Sequence, residues 1–348
     1  MIGRALRAVA AAHEAQQVEM AVDGCGVRRI AGGNNNALYR VDVDGGSLAC
    51  KLCVDDGRQR AEREYANMRL LCQVGLDIAP EPLRLDTGCA LLPFPTVVYR
   101  WLDGEPIRPP VSAQQLAALL RSFQQMHDLS PSQYSESAVM DAFFHWFAYA
   151  PYLADLNGFL DLYGPWLASL GASDLGGGLT ERALLDRMRR LVDGCAEMFA
   201  KTDVDPGREY VAMGLCRVDA NLANTVWGRD GTARWVDWEF SGWGDLAFDL
   251  ADLRWHAAWE GVSEPEHAWF REHYCRPADD PAFDARLTLW DRLISTRWPL
   301  LVLRALWSKF NGPDRQRLSQ VQWSADELWA RMVRLLERAE QVAGEEGG

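Results

Sequence analysis

Two short segments hold the side chains best suited to chemistry. In Val218-Asp219-Ala220-Asn221-Leu222-Ala223-Asn224 an Asp stands five residues ahead of an Asn, and in Trp235-Val236-Asp237-Trp238-Glu239 a second Asp follows a short apolar run. Together they supply one base and two oxygen ligands for a hard cation at one mouth. Phosphoryl transfer uses such a set: a carboxylate that orients the attacking hydroxyl and takes its proton, and oxygen donors that hold Mg²⁺ against phosphates. On this reading Asp219 is the base, and Asn224 and Asp237 are the magnesium ligands.

The same segments resemble the aminoglycoside phosphotransferase and choline kinase superfamily, small-molecule kinases of the protein-kinase-like fold. The likeness runs from Leu215-Cys216-Arg217-Val218-Asp219 to Asn224. It continues from Val236-Asp237-Trp238-Glu239 to Gly244-Asp245-Leu246-Ala247-Phe248-Asp249-Leu250-Ala251. It implies an α+β, bilobal fold with an antiparallel N-lobe sheet and one helix, followed by a mainly helical C-lobe. The implied activity is ATP-dependent transfer of the γ-phosphate to a hydroxyl of a small molecule, with ATP favoured over GTP. In the family the carboxylate at the position of Asp249 braces the catalytic loop through its backbone. Asp245, just after Gly244, is independently a good helix N-cap.

Further parts follow the family's order upstream. Gly32-Gly33-Asn34-Asn35-Asn36 looks like its nucleotide loop, where small residues let backbone amides approach phosphate oxygens; Gly32, Gly33, Asn34 and Asn36 are its candidate contacts. Lys51, one strand later, stands where a kinase places the lysine for the α/β-phosphates. On the next helix Glu64 is the preferred carboxylate to fix that ammonium, with Glu62 as competitor. Val97 to Gly104 resembles the connection between lobes, in which Arg100 and Leu102 would meet the adenine edge through main-chain atoms. The chain departs from the family at Arg217 and Asn221, where His is usual. Arg217 reads as a variant brace of the loop that adds a permanent charge near the site.

The elements that position these residues follow from pattern. Val27–Ile30, Ala37–Val43, Ser47–Leu52 and Thr96–Trp101 are short runs rich in Val, Leu, Tyr and Thr between Gly-Gly and Asp-Gly turns, as antiparallel strands require. Arg58 to Val74 has helical spacing. After the Pro109-Pro110 pair helices dominate: Ala113–Leu129, Glu181–Lys201, Leu246–Trp259, Ala282–Phe310 and Ala325–Gly344. Thr225–Trp227 and Arg234–Trp238 flank Arg229-Asp230-Gly231 as a small hairpin. The expected division is a nucleotide-binding lobe at 1–102 and a helical lobe at 103–348, with 131–180 as an added helical segment.

At 348 residues and 48 % hydrophobic content the chain can bury a sizeable core. A net charge of −13 argues against nucleic-acid and anionic-membrane partners. No apolar run reaches the ~20 residues a membrane helix needs. The start reads as an amphipathic helix, because His13 and Glu14 interrupt any apolar signal core. Eight scattered cysteines point to reduced thiols and a cytoplasmic location. Cys50 and Cys53 on one strand would point to opposite faces, which disfavours a shared metal.

The acceptor is read least well. Phe143, Phe144, Trp146, Phe147, Tyr149 and Tyr152 crowd together and read mainly as core. Glu239, Trp243, Trp255 and Trp259 are candidate acceptor contacts that would suit a cationic small molecule, with Asp252 and Glu260 nearby. An amino alcohol, homoserine or a sugar are alternative acceptors. A catalytically silent nucleotide-binding scaffold is the alternative of another class. A protein substrate is disfavoured, since the nine residues from Asp237 to Asp245 leave no room for a long activation loop.

Overall fold

The computed structural model describes residues 1–31, 35–143, 149–170, 181–202, 212–312 and 323–345. Six strands build the N-terminal sheet: β1 (Glu19–Val22), β2 (Cys25–Ile30), β3 (Ala37–Val43), β4 (Gly46–Leu52), β5 (Pro82–Asp86) and β6 (Thr96–Arg100). Their order is β1-β2-β3-β4-β6-β5, and each pairing is antiparallel. Both faces of this sheet are covered. Helix α1 (Ile2–Glu14) packs Leu6 and Val9 with Cys50, Leu48 and Leu52 on one face. Burying each such aliphatic side chain contributes about 1.5–3 kcal/mol. Helix α2 (Arg60–Gln73) covers the other face, where Ala49 and Cys53 join Met68 and Leu71. This two-sided burial explains why β4 reads as apolar from Leu48 to Leu52, interrupted only by Lys51. Cys50 and Cys53 do face opposite ways, and all eight cysteines are free.

Beyond β6 the chain enters the helical lobe through β7 (Glu105–Pro106), which pairs with β9 (Thr225–Trp227); β9 pairs in turn with β10 (Ala233–Trp235). The approach is close enough to need glycine, since a Cβ on Gly104 would lie 2.3 Å from the Trp227 carbonyl oxygen. Helix α3 (Ala113–His127) starts at a capping box, with Ser112 Oγ accepting from the Gln115 amide at 3.2 Å and Gln115 Oε1 accepting from the Ser112 amide at 3.0 Å.

The lobe's other helices are α4 (Tyr149–Ser169), α5 (Glu181–Lys201), α6 (Leu246–Trp255), α7 (Glu264–His273), α8 (Phe283–Asn311) and α9 (Ala325–Glu345). A ribbon of β8 (Met213–Cys216) and β11 (Gly242–Asp245) packs against α3 and α6. Tyr149 and Tyr152 are buried against Trp290 of α8, as the aromatic cluster predicts, whereas Phe144, Trp146 and Phe147 lie outside the described residues. None of the described helices is long and apolar enough to cross a membrane.

Two boundaries next to the candidate residues differ from the pattern reading. The helix expected to run from Leu246 to Trp259 stops at Trp255, because His256 turns to φ −56°, ψ 130° and a 3₁₀ turn at Ala257–Trp259 follows. The strand expected to reach Trp238 stops at Trp235, and Asp237 takes φ 63°. Both breaks fall at the candidate site.

Candidate active site

Two half-buried polar side chains and a buried lysine meet where β10 ends. Asn224, closing a 3₁₀ turn at Leu222–Asn224, donates from Nδ2 to Asp237 Oδ2 at 3.4 Å, and the second Asp237 oxygen accepts from Lys51 Nζ at 2.5 Å. Lys51 also donates to Glu64 and lies 3.5 Å from Glu239. Glu64 is fully buried, while its competitor Glu62 remains half-buried elsewhere on α2. Burial alone would lower the Lys51 pKa, but the Asp237, Glu64 and Glu239 carboxylates outweigh it and push it well above the ordinary value.

Glu239 belongs to this cluster rather than to an open acceptor surface. It accepts from Asn36 Nδ2 and from Arg60 Nη1, and only 2 % of it is exposed. Asn36 uses its other atom to accept from the Val54 amide at 3.0 Å. The end of the Gly-Gly-Asn loop is therefore tied to the Asp-x-Glu segment across the lobes. Gly32, Gly33 and Asn34 lie outside the described residues.

The loop carrying Asp219 is held almost entirely from α6 and its continuation. Asp249 Oδ2 accepts from the Arg217 amide at 2.8 Å and Oδ1 from the Val218 amide at 2.7 Å, while His127 of α3 and Tyr274 extend the chain of bonds. Asp252 Oδ2 accepts from the Ala220 amide at 3.4 Å, and Trp259 Nε1 donates to the Ala220 carbonyl at 2.6 Å. Val218 has φ 59°, a region that costs a β-branched residue about 1–3 kcal/mol and persists only where neighbours over-determine it. Asp245 caps α6 through the Ala247 amide at 2.9 Å and pairs with Arg286.

Arg217, the departure from the family's His, is a buried brace. Its Nη2 donates to the carbonyls of Val236 at 3.0 Å and Asp237 at 2.9 Å, and its guanidinium lies 4.4 Å from the Trp238 ring centre. One side chain thus links the backbone beside the candidate base to the backbone of the metal-ligand candidate.

His256 was not among the residues singled out by sequence. Its Nε2 lies 2.8 Å from Asp219 Oδ1, and its Nδ1 accepts from the Ala258 amide at 3.1 Å. Burial alone would raise the Asp219 pKa. The His256 bond and the positive charges of Arg217 and Lys51 outweigh burial and hold it below the usual carboxylate value. One signal was present: Asp249, Asp252 and His256 recur at i, i+3 and i+7, a polar stripe on one face of a mainly apolar segment.

Other expectations need correction. Trp243, Trp255 and Trp259 are buried core residues, and Trp255 Nε1 donates to Asp291 at 2.7 Å. With Glu239 they form no open acceptor wall, because indoles and carboxylates in a helical core are consumed by packing and internal bonds. Glu260 pairs with Arg331 and Arg334. The Arg100 amide is already bonded to the Glu81 carbonyl at 2.9 Å and the Trp101 amide to Ser47 at 3.1 Å, so Arg100 offers no free N–H to an adenine; half-buried Leu102 is the next residue along.

The family model for the phosphotransferase enzyme family matches residues 26–278, which contain every part of this cluster. The chain belongs to that family. It is a small-molecule kinase of the protein-kinase-like fold. A spectinomycin phosphotransferase, solved in complex with ADP and spectinomycin, is 16 % identical with a TM-score of 0.60 over 94 % of this chain and 96 % of that one. An ethanolamine kinase from Plasmodium vivax is 15 % identical with a TM-score of 0.56, over 94 % and 85 % of the two chains. A choline/ethanolamine kinase family protein from Mesorhizobium loti is 17 % identical with a TM-score of 0.54, over 91 % and 87 %. No curated protein sequence matches this kinase.

Proposed function

We propose that this kinase transfers the γ-phosphate of ATP to a hydroxyl of a small molecule, with Asp219 as base and Lys51, Asn224 and Asp237 at the phosphates. The observation that carries the reading is the convergence of Lys51 Nζ and Asn224 Nδ2 on the two oxygens of Asp237, at 2.5 and 3.4 Å. ADP in the related spectinomycin phosphotransferase supports an adenine nucleotide, although GTP uses the same phosphate contacts.

The donor set fits a hard divalent cation. Asp237 offers carboxylate oxygen, and rotation of the Asn224 amide presents its carbonyl oxygen. Burial, with the Asp237 charge adding to it, pushes the Glu64 and Glu239 carboxyls above their ordinary values against the opposing charge of Lys51. Bound Mg²⁺ would neutralise phosphate charge there. Lys51, fixed by Glu64, places the triphosphate. Asp219 aims the acceptor hydroxyl and takes its proton as that oxygen bonds the γ-phosphorus. The bond from γ-phosphorus to the bridging oxygen breaks, and ADP leaves with the electron pair.

The acceptor is a neutral or charged hydroxyl compound, and aminoglycosides, amino alcohols, sugars and homoserine form the test panel. We also propose a cytoplasmic location, in keeping with eight free thiols. Residues 1–102 serve as the nucleotide-binding lobe and 103–348 as the catalytic and acceptor lobe, with 131–180 added to it. The deciding experiment is Mg²⁺-dependent nucleotide turnover across that panel by wild type and Asp219→Asn. Acceptor-dependent turnover that falls at least about a hundredfold in the variant, with nucleotide affinity kept, is expected. Full activity in Asp219→Asn would sink the assignment, and nucleotide binding without turnover on any acceptor would favour the silent scaffold.

A further inference from the structure

We infer that His256 is a positioning residue for phosphoryl transfer, holding one oxygen of Asp219 so that the other faces the acceptor hydroxyl. The inference rests on the reading of Asp219 as base and adds a residue to it. The imidazole has only one proton to place when neutral. Nδ1 faces the Ala258 N–H at 3.1 Å and must therefore be the acceptor, which leaves the proton on Nε2, aimed at Asp219 Oδ1 2.8 Å away.

The ring cannot easily swing aside. Its backbone has just left α6 and caps the following 3₁₀ turn, and the Trp298 ring of α8 stands edge-on at 4.8 Å between centroids. Among the described residues Asp252 from the preceding turn and Asp219 face it, Arg331 of α9 donates to the adjoining Ala257 carbonyl at 2.8 Å, and the charges of Arg217 and Lys51 also act on Asp219. A carboxylate in a half-open site has a free torsion and two equivalent oxygens. A fixed donor on one of them removes that freedom and lowers the proton affinity that burial would otherwise raise.

Two substitutions separate this role from simple capping. His256→Asn keeps an acceptor where Nδ1 stands but is too short to reach Asp219. His256→Gln places an amide N–H where Nε2 stands and gives up the cap. Turnover of MgATP, with water or a panel compound as acceptor, is expected to fall at least about tenfold in kcat in His256→Asn, with nucleotide KM and Tm near wild type. The acidic limb of its pH profile moves to higher pH, because Asp219 loses the bond that depresses its pKa. His256→Gln returns to within about threefold of wild type. Nitrogen NMR of the histidines in the full chain gives a readout independent of turnover, and is expected to find His256 protonated at Nε2. An Nδ1-protonated ring, or wild-type kcat and an unmoved acidic limb in His256→Asn while Asp219→Asn is inactive, would overturn the role of His256 alone. An active Asp219→Asn would instead remove the reading on which it rests.

Discussion

Arg217 shows how one side chain can take over a structural duty by a different route. It brings a permanent charge near the site, its Nη2 bonds the carbonyls of Val236 and Asp237, and its guanidinium lies by Trp238. Those two carbonyls fix the backbone at which Asp237 adopts φ 63°. Arg217→Ala is expected to cost about 3 kcal/mol in denaturant unfolding, since buried acceptors lose their partners and a cavity forms. Arg217→Lys should recover little of this, because a point ammonium lacks the planar fork. A lysine variant as stable and active as wild type would show that the charge alone matters. At this scale Lys51, Glu64, Asn224 and Asp237 were all named from sequence and are brought together. The burial of Trp243, Trp255 and Trp259 was not legible, since a tryptophan's type does not say which side of a lobe it faces.

Helix α6 and its continuation work as a clamp on four consecutive residues, from Arg217 to Ala220. Asp252, on this clamp, is pushed up to about 7 by burial first, with the Asp249 and Asp219 charges adding. Its folded pKa lies above its unfolded value, so the native state holds a proton that the unfolded chain releases. That stability is fully present below the ordinary carboxylate pKa and is lost as pH rises towards about 7. His267 of α7 has the opposite sign. Burial, helped by Arg338, pushes it down to about 4, so its contribution is present above the ordinary imidazole pKa and is lost as pH falls towards about 4. The two slopes oppose each other between these limits, each reaching at most about 1.4 kcal/mol per pH unit. In urea titrations across pH 4–7, Asp252→Asn should make stability rise more steeply with pH than wild type, and His267→Gln should make it rise less. Unchanged pH slopes in both variants would refute this account. The clamp's type was legible as helix, but its end at Trp255 was not, because the break at His256 is set by contacts with Asp219 and Trp298 rather than by a Gly or Pro signal.

The lobes are joined by buried charge. Lys51, Arg60 and Asn36 from the sheet side reach Asp237 and Glu239 of the helical side, and Asn67 donates to the Ser241 carbonyl at 2.9 Å. A nucleotide that binds here stabilises the whole fold by mass action, about 2.7 kcal/mol at a hundred times its dissociation constant. MgATP is expected to raise the Tm of wild type, and chelation of the metal should cancel most of the shift. Lys51→Ala should lower Tm without ligand, because Glu64 and Asp237 lose their counter-ion, and should also shrink the MgATP shift. An undiminished shift in Lys51→Ala would remove the lysine from the nucleotide site. These cross-lobe contacts join residues far apart in sequence, which is why Arg60 and the Asn36–Glu239 bond escaped a reading based on local pattern.

The amino-acid sequence by itself determined the kinds of element, the order of the motif parts and the identity of the base and ligand candidates, because these depend on residue type and short-range spacing. Apolar periodicity marked four of the six strands of the N-terminal sheet and most of the helices, though not β1, β5 or α7, and an Asp five residues before an Asn survives any packing. Only the tertiary structure decided which carboxylates remain open to a ligand and which are consumed, that Glu239 belongs to the lobe junction, and that a histidine 37 residues downstream meets Asp219. Burial and pairing are properties of what comes to lie opposite a residue, and no local pattern encodes that.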